Sequence, residues 1–428
     1  MGDKKKLGLW SIVLLGINAV IGSGIFLLPG KAMKLMGPGS IWVYVFDMIL
    51  VMSMALCFAE VSGIFNKNGG PYVYAKEAFG NFIGFEVGIM KWAVGIIAWA
   101  TMAVGFPTAL AKVWPAAAQP STKNIIAILI LVVLGFINIL GVNAAKYMNN
   151  IITIGKLVPL IFFVAVGIFF IKGGNFIPMF PEKVTSGTLG SAAILIFYAF
   201  TGFESIAVAA EDMENPQKNL PIAITITMVL VSLIYILTQT VAIGTLGAKL
   251  ASSGTPVADS ANVFLGGFGG MLVTAGTLVS IGGINIAASF ITPRSGVALA
   301  EDGLLPAAVA KKNKAGTPYI AIIITVVLAI PMVLSGSFTQ LASISVISRF
   351  AQYIPTCLSV LVFRRRKGME STFKIPFGPV LPILSVIVSL WLLTQATQVQ
   401  IMWGLGALII GIPLYFIMKN SNKKVQDS

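Results

Sequence analysis

Gly22-Ser23-Gly24 is the first stretch of this chain whose residue types could bind a ligand. It lies in the middle of an apolar segment, roughly 9–35, that is long enough to cross a bilayer. Glycine costs a helix about 1 kcal/mol relative to alanine, and irregular backbone survives at membrane depth only where it is buried in protein or lines a cavity. An unwound turn here would expose N–H groups that suit a carboxylate. Close helix packing through small residues is the alternative interpretation.

A second interruption is predicted in the sixth apolar segment, where Phe200, Thr201 and Gly202 precede Glu204. The first half of that helix would end near Phe200 with unsatisfied carbonyl groups, and such groups suit an ammonium. The two interruptions together would bind a zwitterion, and they say little about its side chain.

Lys156 and Arg349 are cations placed at membrane depth. Such residues are costly there and usually functional. The ammonium of Lys156 could reach the carbonyl groups at the first interruption, or it could be a purely structural tie. For Arg349 the sequence indicates a buried ion pair or a charge that faces water.

The composition places the chain among polytopic membrane proteins. It has 428 residues, of which 57% are hydrophobic and 10% charged, and repeated long apolar runs are typical of transmembrane helices. The net charge of +14 is spread over short loops, so a nucleic-acid partner is not expected. Cys57 and Cys357 lie in apolar segments, and the absence of histidine excludes histidine-based catalysis or metal binding. We therefore expect no cofactor and no metal.

The fold class expected is all-α integral membrane, as one transport domain over 1–428. About twelve spans are predicted near 9–35, 40–64, 82–111, 124–141, 148–171, 189–212, 221–245, 263–293, 318–335, 339–363, 379–396 and 400–418. The interrupted spans one and six are five apart and run in opposite directions, which predicts an inverted repeat. The first five-helix repeat covers 9–171, the second 189–363, and two additional helices cover 379–418.

The lysine and arginine distribution predicts the topology. With the N-terminus inside, nineteen of these residues fall on the cytoplasmic side and seven outside, and the other three of the 29 lie within spans. This bias predicts that both termini are cytoplasmic.

Four motifs carry a resemblance to a known family. Gly22-Ser23-Gly24-Ile25-Phe26 resembles the first-helix motif of the amino acid–polyamine–organocation (APC) superfamily. Gly69-Gly70-Pro71-Tyr72, the loop from Glu211 to Pro221, and Ala300 to Pro306 resemble the loops after its helices two, six and eight. The resemblance implies a LeuT-type 5+5 inverted repeat with discontinuous helices 1 and 6, and amino-acid transport by alternating access.

The resemblance also implies a substrate site. Its carboxylate side would be Ile21, Gly22, Ser23 and Gly24, and its ammonium side Tyr198, Phe200, Thr201 and Gly202. Selectivity for the side chain would come from Ala19, Trp99, Ala288 and Ser289, although Trp99 could serve packing alone. Ala288 replaces an aromatic residue of the arginine exchangers, which favours small or medium neutral amino acids. Proton-coupled symport and basic amino-acid or polyamine antiport are the alternatives.

Coupling and gating residues follow from the same resemblance. Lys156 resembles the helix-five lysine that replaces sodium, so no sodium requirement is expected. Glu204 and Tyr353 resemble inner-gate residues, and Lys91 stands where the gate has another tyrosine. A Lys91–Glu204 ion pair would then close the gate, unless Lys91 extends to the interface or Glu204 carries a proton.

Two other functional classes fit the sequence less well. An ion channel would need a selectivity filter and usually a symmetric oligomer, and the internal repeat with unpaired central interruptions argues against one. A membrane enzyme would need a catalytic constellation, and none is found, so we expect no enzyme. The expected partners are an amino-acid substrate and membrane lipid, and the expected location is the cell membrane.

Overall fold

The computed structural model describes residues 6–65, 70–141, 144–208, 213–371 and 373–426, and most of them are helical. No β-strand occurs within these ranges, where one isolated bridge pairs Leu7 with Met213. The all-helical prediction is therefore confirmed. The motif residues Gly69, Glu211 and Asp212 lie outside the described residues.

The helices of the first half are numbered in chain order. They are α1 (Leu9–Val20), α2 (Gly24–Leu27), α3 (Pro29–Met36), α4 (Ser40–Ser62), α5 (Pro71–Phe79), α6 (Asn81–Leu110), α7 (Pro120–Ile139) and α8 (Ala144–Gly167).

The helices of the second half continue this numbering. They are α9 (Ser186–Phe200), α10 (Glu204–Val208), α11 (Pro216–Leu246), α12 (Pro256–Glu301), α13 (Tyr319–Ser335), α14 (Phe338–Phe363), α15 (Val380–Gln395) and α16 (Gln398–Gln426). Gly266 has a φ of 63° inside α12, so a short helix over 256–265 precedes the long apolar one.

Eight helical segments in the described part of the chain are long and apolar enough to cross a membrane. Four shorter apolar helices accompany them, Leu9–Val20, Ile154–Phe170, Tyr319–Ser335 and Val380–Gln395. Length and composition therefore identify a multi-pass membrane protein. The arrangement of twelve spans stays a prediction.

Burial separates central helices from peripheral ones. Within the most apolar 18-residue stretch of each segment, the buried share is 72% for the segment that contains α9, 67% for α14 and 61% for α6. It is only 17% for α7 and 11% for α16. The peripheral helices expose large apolar side chains, such as Ile125, Phe136 and Ile409. Apolar surface on this scale would be unfavourable in water and is suited to a hydrocarbon environment.

Candidate functional site

The first interruption separates α1 from α2. Helix α1 ends at Val20, Ile21 has extended backbone angles, and regular helix resumes at Gly24. The N–H of Ile21 still donates to Ile17 O. For the next three N–H groups, those of Gly22, Ser23 and Gly24, the described residues provide no acceptor. These groups are available to a ligand.

The two glycines of this turn have different neighbours. A Cβ on Gly24 would lie 2.6 Å from Ala199 Cα, so this glycine lets α2 pack directly on the backbone of α9. A Cβ on Gly22 would meet first two side chains, Ile284 Cδ1 at 3.0 Å and Met102 Cε at 3.2 Å. Close backbone packing therefore explains Gly24, whereas Gly22 lies against side chains of α6 and α12.

The second interruption separates α9 from α10. Helix α9 ends at Phe200, Thr201 is extended, and α10 begins at Glu204. Between them Gly202 has a φ of 114°, and a Cβ there would lie 2.3 Å from Ala19 O. Only glycine fits this conformation and this close approach. The two interruptions therefore touch each other through backbone atoms.

Carbonyl groups at the end of α9 are already hydrogen-bonded. Tyr198 O accepts from the N–H of Thr201 at 3.2 Å and from its Oγ1 at 2.7 Å. Ala199 O accepts from Tyr235 Oη at 3.0 Å. The sequence predicted open acceptors here, and that is wrong for these two carbonyls because a local turn and a residue of α11 occupy them.

Tyr235 connects the two interruptions. Besides Ala199 O, its hydroxyl lies 3.2 Å from Val20 O, the last residue of α1. One hydroxyl proton serves both carbonyls, and the side chain is fully buried. Sequence reasoning missed this residue because a tyrosine in an apolar helix carries no motif.

Lys156 is fully buried and reaches the first interruption from α8. Its Nζ donates to Asn18 O at 2.5 Å and to Ile21 O at 2.6 Å. Asn18 lies in the last turn of α1 and Ile21 follows it directly, where the helix dipole favours positive charge. The ammonium therefore ties α8 to the end of α1.

Glu204, the first residue of α10, accepts hydrogen bonds from three donors. Its Oε1 lies 3.0 Å from Arg349 Nε, and its Oε2 accepts from Tyr353 Oη at 2.8 Å and from the N–H of Gly202 at 2.9 Å. Arg349 also donates to Ser345 O within α14. Both charged side chains are mostly buried, with exposed fractions of 8% for Arg349 and 13% for Glu204.

The cation that pairs with Glu204 differs from the one predicted. The sequence assigned the partner to Lys91, which lies partly buried on α6. In the structure the partner is Arg349 of α14. A cation in the middle of an apolar helix was the available signal, and the sequence around Arg349 is compatible with either a buried pair or a water-facing charge.

Aromatic rings pack around the Glu204–Arg349 pair. The rings of Phe58, Phe203 and Tyr353 contact one another with centroids 5.3 to 5.5 Å apart, and Phe197 packs on Tyr353 at 6.2 Å. These rings come from α4, α9, α14 and the interruption itself. They surround the pair with apolar material, which strengthens its attraction and raises the cost of stranding either charge.

Ser23 lies beside Tyr198 and Met102. Its Oγ is 3.3 Å from both Tyr198 Oη and Met102 Sδ. The ring of Tyr198 packs edge to face on Phe338 at 5.8 Å. Met102 and Phe338 were not among the predicted site residues, and buried apolar residues of this kind carry no signal beyond their period.

The residues predicted to choose the substrate side chain are scattered. Trp99 is fully buried, and its Nε1 has no hydrogen-bond partner among the described residues. Ser289 accepts from Asn138 Nδ2 of α7 at 2.9 Å, and so faces α7 rather than the interruptions. On α12 it is Ile284, one turn before Ala288, that lies against Gly22.

A cavity of about 210 Å³ lies away from the interruptions. Ser289, Asn138 and Arg294 line it together with the segment around Gly316. None of the residues of either interruption borders it. Its contents therefore would not meet the free amides of α2. In the described part of the chain no group of three side chains could hold a metal ion.

Comparisons with known proteins give one consistent result. Residues 7–418 match the family model described as amino acid permease. The chain is 36% identical to an uncharacterized transporter of Mycobacterium tuberculosis over 90% of this chain and 86% of the relative. It is 30% identical to the serine/threonine exchanger SteT of Bacillus subtilis over 98% of both chains. Identity to the branched-chain amino acid permease BcaP of the same species is 27%, over 99% of this chain and 94% of the relative.

Proposed function

The chain belongs to the amino acid permease family of the APC superfamily, and on this premise we propose that it is a sodium-independent exchanger of small or medium neutral L-amino acids. The family and the names of the relatives indicate an amino-acid transporter rather than an enzyme. The proposal of sodium-independent exchange rests on one observation: the two interruptions touch each other, and Lys156 binds the carbonyls of the first one.

The substrate carboxylate would bind at the first interruption. Gly22, Ser23 and Gly24 present three N–H groups to it at the start of α2. Helix N-termini bind anions because these groups point at the ligand. The hydroxyl of Ser23 adds a further donor.

The substrate ammonium would bind at the second interruption. Phe200 O is the nearest carbonyl after the two that are already bonded. A carbonyl oxygen has two lone pairs, so Ala199 O, which among the described residues accepts from Tyr235 alone, can accept a second bond. Thr201 and Gly202 complete this side. Ala19 O, which borders Gly202, faces the same point from α1.

Neutral substrates are favoured by the surrounding charge. Glu204 is the acid next to the interruptions, and Arg349 already compensates it. Met102 and Ile284 lie against Gly22, and Tyr198 lies beside Ser23. None of these three side chains offers a negative charge to a cationic substrate. A guanidinium or polyamine would therefore lose hydration without gaining a counter-ion.

Lys156 would replace a bound sodium ion. Its ammonium supplies positive charge to the carbonyl end of α1, which in a sodium-coupled transporter is a task for the ion. A fixed cation removes the need for a second ligand, and the site can then cycle by exchange. Proton symport remains the second candidate, since Lys156 and Glu204 are both titratable.

Alternating access would use the Glu204–Arg349 pair as an inner latch. The pair links α10, which follows the interruption, to α14, and opening toward the cytoplasm would separate them. We extend the proposal to a LeuT-type arrangement of twelve spans as 5+5+2, in the cell membrane, with both termini cytoplasmic. The lysine and arginine bias supports this orientation.

Uptake into proteoliposomes tests the proposal. We expect labelled serine, threonine or leucine to enter only when unlabelled amino acid is inside, with equal rates in sodium and in potassium buffer. A competition panel then ranks neutral, basic and acidic amino acids. Sodium-dependent uptake would contradict the role of Lys156, uptake driven by an acid-outside gradient into empty vesicles would indicate symport, and stronger competition by arginine would indicate basic antiport.

A further inference from the structure

Helix α4 carries two buried acids with opposite surroundings. Glu60 is 3% exposed, and both of its oxygens lie 2.6 Å from guanidinium nitrogens of Arg364. It also accepts from the N–H of Ile375 at 2.7 Å. Asp47 is 0% exposed, and neither of its oxygens has a hydrogen-bond partner among the residues that the structure describes.

The side of α4 that carries Asp47 has few hydrogen-bond donors. Tyr44, one turn earlier on α4, is fully buried, and its hydroxyl also has no partner within the described ranges. Gln239 of α11 donates to Ser40 Oγ at 2.9 Å, while no described residue donates to its Oε1. Acceptor atoms therefore outnumber the donors along this side of α4.

Charged groups on the neighbouring helices are either exposed or bonded to other residues. Helix α4 packs against α3, α9, α10, α11, α14 and α15. Their titratable side chains are Lys31 and Lys34 (exposed), Tyr198 (next to Ser23), Tyr235 (on two carbonyls), Lys218 (exposed), Cys357 (buried), and the mutually bonded Glu204, Arg349 and Tyr353. Helix α15 has no charged residue. No cation of the described chain forms an ion pair with Asp47.

We propose that Asp47 is a proton-binding site, a carboxyl group that takes up one proton from solvent and is held as the neutral acid between α4 and its neighbours. An isolated ionised carboxylate costs several kcal/mol to bury, whereas the neutral acid costs far less. Protonation converts an acceptor-only group into one with an O–H donor. The neutral acid therefore adds a donor to a side of α4 on which acceptors are in excess.

Tyr44, one turn before Asp47 on α4, contacts the end of α9 at the second interruption. The ring of Tyr44 packs on that of Phe200 at 6.3 Å, and Phe200 is the last residue of α9. A conformation that separates α4 from α9 would admit water to Asp47 and release the proton. Low pH therefore stabilises the packed arrangement and high pH the separated one. This inference does not depend on the substrate or on exchange.

Unfolding of the purified full-length protein tests the site without a transport assay. The unfolding equilibrium constant is measured by denaturant titration in detergent between roughly pH 5 and pH 8, for the unmodified protein and for Asp47→Asn. The folded unmodified protein holds one more proton than its unfolded chain. Its unfolding equilibrium constant should therefore rise by about tenfold per pH unit relative to that of Asp47→Asn. A ratio that does not change with pH overturns the proposal.

Two further variants complete the test. Asp47→Leu, whose side chain branches at the same atom, should fold and show the same pH behaviour as Asp47→Asn, since a neutral acid needs no counter-ion. If neither variant folds, the carboxylate is required in its charged form and the proposal is wrong. Glu60→Gln is the matched control on the same helix, and it should lose stability by stranding Arg364. If the ratio of the unfolding constants of the unmodified protein and Glu60→Gln changes with pH as the ratio for Asp47→Asn does, the effect is not specific to Asp47 and the proposal is overturned.

Discussion

The two helix interruptions are held in place by opposite chemistry. At the first one a cation, Lys156 of α8, binds backbone carbonyls directly. At the second one an anion, Glu204, binds a backbone N–H and is itself bound by Arg349 of α14. Each arrangement matches the local dipole, because α1 ends in carbonyl groups and α10 begins with N–H groups.

The comparison shows that each interruption is anchored to a different neighbouring helix. Lys156 ties the end of α1 to α8, and Arg349 ties the start of α10 to α14. Tyr235 and the Gly202–Ala19 contact link the interruptions to each other. The anchors can therefore be removed separately, whereas the link between the interruptions is common to both.

Gly202→Val is expected to have the largest effect, because it breaks the contact common to both interruptions. Its Cβ would lie 2.3 Å from Ala19 O, and the φ of 114° is unfavourable for a β-branched residue. We expect loss of transport and a low yield of folded protein. Gly406→Ala is the control, since a Cβ there has no atom within 4 Å. Normal transport by Gly202→Val would show that the interruptions do not need to touch.

Lys156→Ala removes the anchor of the first interruption alone. Two charge-assisted hydrogen bonds are lost, each contributing about 1.5–3 kcal/mol, so we expect at least a tenfold fall in exchange rate with the protein still folded. Lys123→Ala, at the start of α7, should have no effect. Measuring initial exchange in proteoliposomes compares the two. If Lys156→Ala exchanges at the unmodified rate, the ammonium at the first interruption is not needed for transport.

Glu204→Gln and Arg349→Met each strand one charge of the second anchor. Breaking a buried pair costs roughly 3–5 kcal/mol, and removing both charges costs less. We expect each single variant to impair exchange and the double variant to recover part of the loss. The corresponding double variant with Lys91→Met should show no recovery, and this distinguishes the pair in the structure from the one that the sequence predicted.

The outcome of this cycle also sharpens the role of Glu204. A double variant no better than the worse single variant would mean that the pair does not act as a unit. If Glu204→Gln keeps its exchange rate and loses only its pH dependence, Glu204 acts as a proton carrier instead of a latch.

Tyr235→Phe is expected to have the smallest effect. It removes one hydroxyl that bonds Val20 O and Ala199 O and keeps the packing against Phe200. A neutral hydrogen bond contributes about 0.5–1.5 kcal/mol, so we expect a fall of a few fold in substrate affinity, measured by competition. A loss as large as that of Lys156→Ala would make Tyr235 the principal link between the interruptions.

Part of this architecture is determined by the sequence. The apolar segments, the glycines at Gly22 and Gly202, and the unusual placement of Lys156 and Arg349 are all properties of residues in their own segment. Helix propensity and the cost of charge in hydrocarbon act locally, and the motifs of the family add to them.

Only the tertiary structure decides which groups meet. Lys91, Lys156 and Arg349 all lie within apolar helices, and the rotation of each helix about its axis determines which cation reaches Glu204 and which reaches the carbonyls of α1. The same rotation brings Ile284 rather than Ser289 to the first interruption, and leaves Asp47 among acceptors while Glu60 meets Arg364. Helical periodicity alone does not specify these rotations, because small residues and buried polar groups interrupt the apolar pattern on every face of a central membrane helix.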